Sequence, residues 1–124
     1  MNKKDVIDKF RNKDTVCIFF DELSMFEVGE IIQINKDREG AVECERLHNK
    51  GDHLMFRVFM KDKEKWEIHY HNCYETLLVY KGKLLDVFSD QIAEKGRVLT
   101  FDPFEEHTVR SVGDSIFYVE FRKP

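Results

Sequence analysis

Residues 69–75 read His69-Tyr70-His71-Asn72-Cys73-Tyr74-Glu75, and the run behind them is Thr76-Leu77-Leu78-Val79-Tyr80. The second run has the β-branched, apolar and aromatic make-up of a strand. On a strand, residues two apart share a face, so His69 and His71 point together. Glu75 has the same parity and joins them after a turn or irregularity at 72–74. Leu77 and Val79 continue that face as apolar surface. Two imidazoles and a carboxylate on the apolar side of a sheet are costly to bury unless something satisfies them. A divalent ion offsets the carboxylate charge and takes up the ring nitrogens. His107, four residues after Pro103, opens a later strand and is placed to reach the same ion as a fourth ligand.

The rest of the chain reads mostly as strands. Residues 3–12 are the exception: Val6, Ile7 and Phe10 among charges predict a short amphipathic helix. Val16–Phe20 is a compact apolar run in a β-like context. Phe26–Val28, Glu30–Ile34 and Ala41–Leu47 are further short candidates, separated by Gly29 and the polar stretch 35–40. Leu54–Met60 alternates Leu54, Phe56, Val58 and Met60 on one side, with Met55 and Phe59 on the other. Lys61-Asp62-Lys63-Glu64-Lys65 is expected to be a solvated loop tip. Thr76–Tyr80 and Leu84–Phe88 flank Lys81-Gly82-Lys83, and Thr108–Val112 and Ile116–Phe121 flank Gly113-Asp114-Ser115. Both glycine-centred links are expected to be hairpin turns. Val98–Phe101 is a strand that Asp102-Pro103 ends. Strands roughly every 8–12 residues with glycine-centred turns predict an all-β sandwich or barrel.

Composition narrows the class. The 124 residues fit one domain, 1–124, and 42% hydrophobic content with eleven Phe supplies a core. Charged residues make up 35% but are mixed in sign, which argues against disorder. A net charge of -4 without a basic stripe argues against nucleic acid. The charged start, Met1-Asn2-Lys3-Lys4-Asp5, leads into no apolar h-region, and no run approaches the roughly 18 apolar residues of a membrane span. A cytoplasmic protein is expected. Cys17, Cys44 and Cys73 form neither a CxxC site nor a disulfide framework and read as small apolar residues. His48 and His53 read as loop residues, Trp66 and Tyr70 as packing residues, and Glu105 and Glu106 as an exposed rim.

From its first His to its closing Gly, His69-x-His71-x3-Glu75-x6-Gly82 resembles the first motif of the cupins. Gly96-x6-Pro103-x3-His107 is similar to a looser second motif, and the intervening residues, 83–95, match the short spacing of small microbial cupins. The resemblance covers 69–107 closely and extends by strand pattern to 54–121; the first 50 residues match no motif. Departures are Lys63 where the first motif opens with Gly, Glu105 where the second has Gly, Ser111 in place of its closing Asn, and a Pro-to-His spacing shorter by one. The resemblance implies a double-stranded β-helix barrel with a short N-terminal helix, accessory strands within 1–50 and the barrel proper over 54–121. It also places the metal ligands on His69, His71, Glu75 and His107, with Glu75 able to act as a base in some relatives.

Three histidines and one carboxylate leave positions open on a six-coordinate ion. Mixed N/O ligation without thiolate suits one divalent transition metal per chain, Fe, Mn, Ni, Co or Zn. Such a site points to an enzyme of the dioxygenase or isomerase type acting on a small metal-chelating metabolite. The alternative is a metabolite- or metal-sensing module without turnover. Apolar residues on both faces of Leu54–Met60 and Thr76–Tyr80 predict cover by the N-terminal segment or a second copy, hence a homodimer.

Overall fold

Near the N-terminus the backbone is helical because its ends are satisfied locally. In the computed structural model, which describes residues 2–12, 14–34, 40–48 and 51–124, helix α1 spans Lys3–Phe10. Asn2 Oδ1 accepts from the Asp5 amide at 3.0 Å and Asp5 Oδ2 accepts from the Asn2 amide at 3.1 Å, a reciprocal capping box. Val6 and Phe10 are its buried residues.

The apolar run 16–20 does not stay extended. Strand β1 covers only Val16–Cys17, and Phe20–Leu23 turns into a short helix, α2. Glu22 Oε1 accepts from the Phe19 amide at 3.0 Å, and Asn72 Oδ1 accepts from the Phe20 amide at 2.8 Å. Side-chain acceptors thus take amides that a longer strand would have spent on a ladder. Residues 26–28 form no strand either, and the next amide, Gly29, donates to the Arg46 carbonyl at 2.7 Å. Beyond them come β2 (Ile31–Gln33), β3 (Val42–Arg46), β4 (His53–Met60), β5 (His69–Tyr70), β6 (Tyr74–Asp86), β7 (Gln91–Glu94), β8 (Val98–Phe101) and β9 (Val109–Arg122). Most of the stretch expected as a polar link, 35–39, lies outside the described residues.

The main sheet runs β2-β3-β4-β9-β6-β7, with β8 also on β6, and β1 pairs with β5 beside it. All pairings in the main sheet are antiparallel. The two expected hairpins are not there. Residues 74–86 and 109–122 are each one long strand, and the two pair with each other from Tyr74↔Arg122 to Asp86↔Val109. Gly82 (φ +81°) and Gly113 (φ +74°) do adopt the left-handed conformation a turn would use. They spend it on a bend within a strand, where the register slips between Val79 and Lys81 and again between Lys81 and Lys83. A Cβ on Gly82 would lie 2.3 Å from the Asp114 carbonyl oxygen, so the two corners are in contact. Bending lets one pair of strands serve both layers of an all-β barrel.

Alternation then sorts the side chains. Cross-strand rows Cys44–Val58–Phe117–Val79 and Leu54–Phe121–Glu75–Phe101 face inward and are buried. Glu75 is the one charged member of these two rows. On the other side of β4, Met55 and Phe59 are half-buried and Arg57 is exposed, its guanidinium paired with Glu45. His53 is not a loop residue: it opens β4, half-buried, with Nδ1 3.4 Å from Glu120 Oε1. His48 is in an exposed loop as expected. In the charge run 61–65, Glu64 is buried rather than solvated, because residues 63–71 lie against 104–111.

Candidate metal centre

His69 and His107 are brought together by backbone pairing. Each amide donates to the other's carbonyl, at 3.1 and 3.0 Å, so they are directly opposed partners in an antiparallel ladder. The same two segments are held by Trp66 N to Val109 O at 2.9 Å and Phe104 N to His71 O at 2.7 Å. Glu75 arrives from β6, opposite Phe121 and Phe101. Bends at 72–73 precede β6, and His71, Glu75 and His107 all end up buried with His69. The ligand atoms of all four residues lie within 4.8 Å of one another.

Each imidazole is held at Nδ1 by a backbone carbonyl. His69 Nδ1 lies 2.7 Å from Glu67 O, His71 Nδ1 2.8 Å from Ile18 O, and His107 Nδ1 3.0 Å from Glu105 O. A carbonyl only accepts, so each Nδ1 carries the proton and each neutral ring presents a bare Nε2. That is the arrangement by which outer partners orient metal-ligating histidines. The rings are boxed in as well. Phe101 stacks on His107 at 4.1 Å and 9°, Phe121 meets His71 edge-on at 4.8 Å, and Trp66 lies tilted 5.9 Å from His69.

The four groups set one another's charge. Burial, reinforced by His107 and His71, keeps His69 well below the ordinary imidazole range, and burial likewise lowers His71. Burial alone would raise the Glu75 carboxyl, but His107 above all outweighs it and takes Glu75 down to about 2. Burial alone would lower His107, and Glu75 outweighs that and raises it. His107 Nε2 and Glu75 Oε2 stand 2.6 Å apart without the alignment of a hydrogen bond. A lone pair and a carboxylate oxygen at that distance repel unless positive charge, a proton or a metal ion, sits with them. His71 Nε2, 3.9 Å from Glu75 Oε1, also lacks a partner. Orphaned acceptors of this kind cost on the order of 1–3 kcal/mol each. One divalent ion would satisfy the group, and these donors fit it.

The four residues singled out in the sequence are therefore together. The sequence carried no signal for the three carbonyls behind them, at Ile18, Glu67 and Glu105, because every residue has one. Glu105 and Glu106 have exposed side chains, and Glu105 Oε1 accepts from the Asp102 amide at 2.9 Å. Arg110 is exposed too. Cys73 is buried, and burial foremost pushes its thiol up to about 12. It is a packing residue, and alkylation at pH 8 followed by peptide mapping is expected to leave Cys73 unmodified until the protein unfolds. Modification of Cys73 in minutes under native conditions would contradict this.

The site opens onto an internal cavity of about 30 Å³. Phe10, Leu23 and Ile32 line it from the N-terminal side, and Trp66, Phe117 and Phe121 are among its other walls.

No family model and no curated protein matches this chain. Solved structures do. An RmlC-like cupin from Shewanella frigidimarina superposes with a TM-score of 0.66 at 14% identity, over 77% of this chain and 85% of that one. A predicted oxalate decarboxylase from Thermotoga maritima gives 0.63 at 21% identity, over 77% and 91%. An acetylacetone dioxygenase from Acinetobacter johnsonii gives 0.63 at 13% identity, over 78% and 70%.

Proposed function

We propose that this chain, which has the cupin fold, binds one divalent transition-metal ion through His69, His71, Glu75 and His107 and is an enzyme acting on a small molecule at that ion. The observation that supports the reading is the cluster of buried atoms His71 Nε2, Glu75 Oε2 and His107 Nε2, for which no hydrogen bond is made among the described residues. When bound, the ion supplies Lewis acidity, polarising a carbonyl or acidifying a hydroxyl. The chain's own part is to hold three bare Nε2 atoms and one carboxylate in register and to keep bulk water out with an apolar wall. Glu75 is held ionised by its neighbours, so it serves first as a charged ligand. A role as base requires that it leave His107.

A reaction of the dioxygenase or isomerase type on a chelating metabolite is the form of activity we favour. Full-length protein loaded with Fe(II) or Mn(II) is expected to consume oxygen or form product on some member of a panel of enediols, β-diketones, α-hydroxy acids and keto-sugars. Saturable binding with no turnover across that panel would replace the enzyme with a sensor. The small cavity supports the sensor as the second reading, since a metabolite would fit at the ion only if lining residues such as Phe10 and Leu23 moved aside. Among the described residues no helix is long and apolar enough to cross a membrane, and the proposal places the protein in the cytoplasm.

The same proposal includes a homodimer. Ile31, Leu78, Tyr80 and Val98 are 40–60% exposed on the sheet's outer side, and a second copy would cover them. Sedimentation velocity is expected to show a dimer at micromolar concentration, and a monomer at every concentration would remove this part of the reading.

A further inference from the structure

Four buried polar atoms without a hydrogen-bond partner, Trp66 Nε1, His71 Nε2, Glu75 Oε2 and His107 Nε2, belong to residues lining the one cavity described above. Three of them are acceptors that a cation satisfies. Trp66 Nε1–H is different: an indole N–H only donates and cannot ligate a metal. It is 91% buried, since its residue is 9% exposed, and its ring sits 5.9 Å from that of His69 and 5.4 Å, edge-on, from that of Phe10. A buried N–H left unmet is costly, and the missing partner must be an acceptor. The cavity of about 30 Å³ limits what that acceptor can be, because one water needs about 10–15 Å³ on this measure. The ion itself would take part of that space, and what is left admits only a small ligand while Phe10 and Leu23 stay where they are.

We propose that Trp66 is a positioning residue that donates a hydrogen bond to a small acceptor ligand, anionic or polarised, bound beside the metal ion. The proposal rests on the metal reading above and goes beyond it in naming the class of ligand and the residue that orients it. Phe10, Leu23 and Ile32 set the upper size. Net positive charge, left when one carboxylate faces a divalent ion, sets the preference for an anion. The donor then adds direction, as charge-assisted hydrogen bonds do.

The chain has a single Trp, so its indole N–H gives one resolved resonance. In the full-length Zn(II)-loaded protein, azide is expected to shift that resonance saturably, whereas acetate, of the same charge but bulkier, leaves it in place. In the Co(II)-loaded protein, azide binding is read by visible absorption. Trp66→Phe keeps an aromatic ring against Phe10 and His69 but removes the donor. It is expected to retain the full metal content and to bind azide about tenfold more weakly. An indole resonance unmoved by saturating azide, or equal azide affinity in the variant, would overturn the proposal while leaving the metal reading intact. A wild-type protein that retains no metal would overturn both, and elemental analysis of the same samples separates the two failures.

Discussion

Protein purified without added metal is expected to carry close to one transition-metal ion per chain, and His69→Ala/His71→Ala is expected to carry almost none. The double variant removes two of the four proposed ligands. It leaves Glu75 and His107 2.6 Å apart, a pair that a single proton satisfies and that holds no metal by itself. Because His71 also donates to the Ile18 carbonyl, loss of metal in that variant needs a control that keeps the fold. Glu75→Gln is that control. Its new amide NH2 can donate to neutral His107 Nε2, so the site closes on itself, while the charge that offsets the ion is gone. We expect the Glu75→Gln protein to remain folded by circular dichroism and to bind metal at least tenfold more weakly. Chelation should also lower the melting temperature of the wild type, since a ligand present at about 1,000 times its Kd stabilises by about 4 kcal/mol. Equal trace metal in wild type and double variant would overturn the ligand assignment.

Gly82→Ala is expected to be among the most destabilising single-methyl changes available in this chain. Its Cβ would stand 2.3 Å from the Asp114 carbonyl oxygen, 2.9 Å from Ser115 Cα and 3.0 Å from Ser115 Cβ, and two of those atoms are backbone. The corner cannot yield easily, because Ser115 Oγ lies 2.6 Å from Ser111 Oγ and both serines are buried. Backbone at φ +81° adds about 1 kcal/mol for any L side chain. Together the overlap and the strain predict a loss of about 3 kcal/mol or more, roughly the scale of overpacking a core. Gly113→Ala is the paired measurement. It has a similar φ, +74°, but nothing within 4 Å of its added Cβ, so about 1 kcal/mol is expected. Equal losses at the two positions in urea unfolding would mean that the corners do not touch.

That contrast also marks how far the sequence could be read. The strand pattern, the N-terminal helix and the inward face of Glu75, Leu77 and Val79 follow from periodicity, which depends only on neighbours along the chain. The glycine links at 81–83 and 113–115 were legible as places of positive φ but not as corners. A hairpin turn and a strand bend ask the same conformation of the glycine, and only the partner strand decides between them. Because 74–86 pairs with 109–122 along its length, both links become bends. Val16–Phe20 shows the same limit, since its apolar run breaks at Asn72 and Glu22 acceptors, one of them 52 residues away.

His69, His71, Glu75 and His107 could be picked out from the sequence because their side chains differ chemically from everything else on an apolar face, and the shared parity of 69, 71 and 75 suggested that three of them face the same way. Sequence alone therefore determined which groups would be costly to bury without a cation. The tertiary structure decided what surrounds them: the carbonyls that hold each Nδ1, the N-terminal residues that line the cavity, and Trp66 among its other walls. Those features depend on distances between segments remote in the chain. Backbone carbonyls and packing contacts leave no residue-type signature, so folding had to bring them into place before they could be seen.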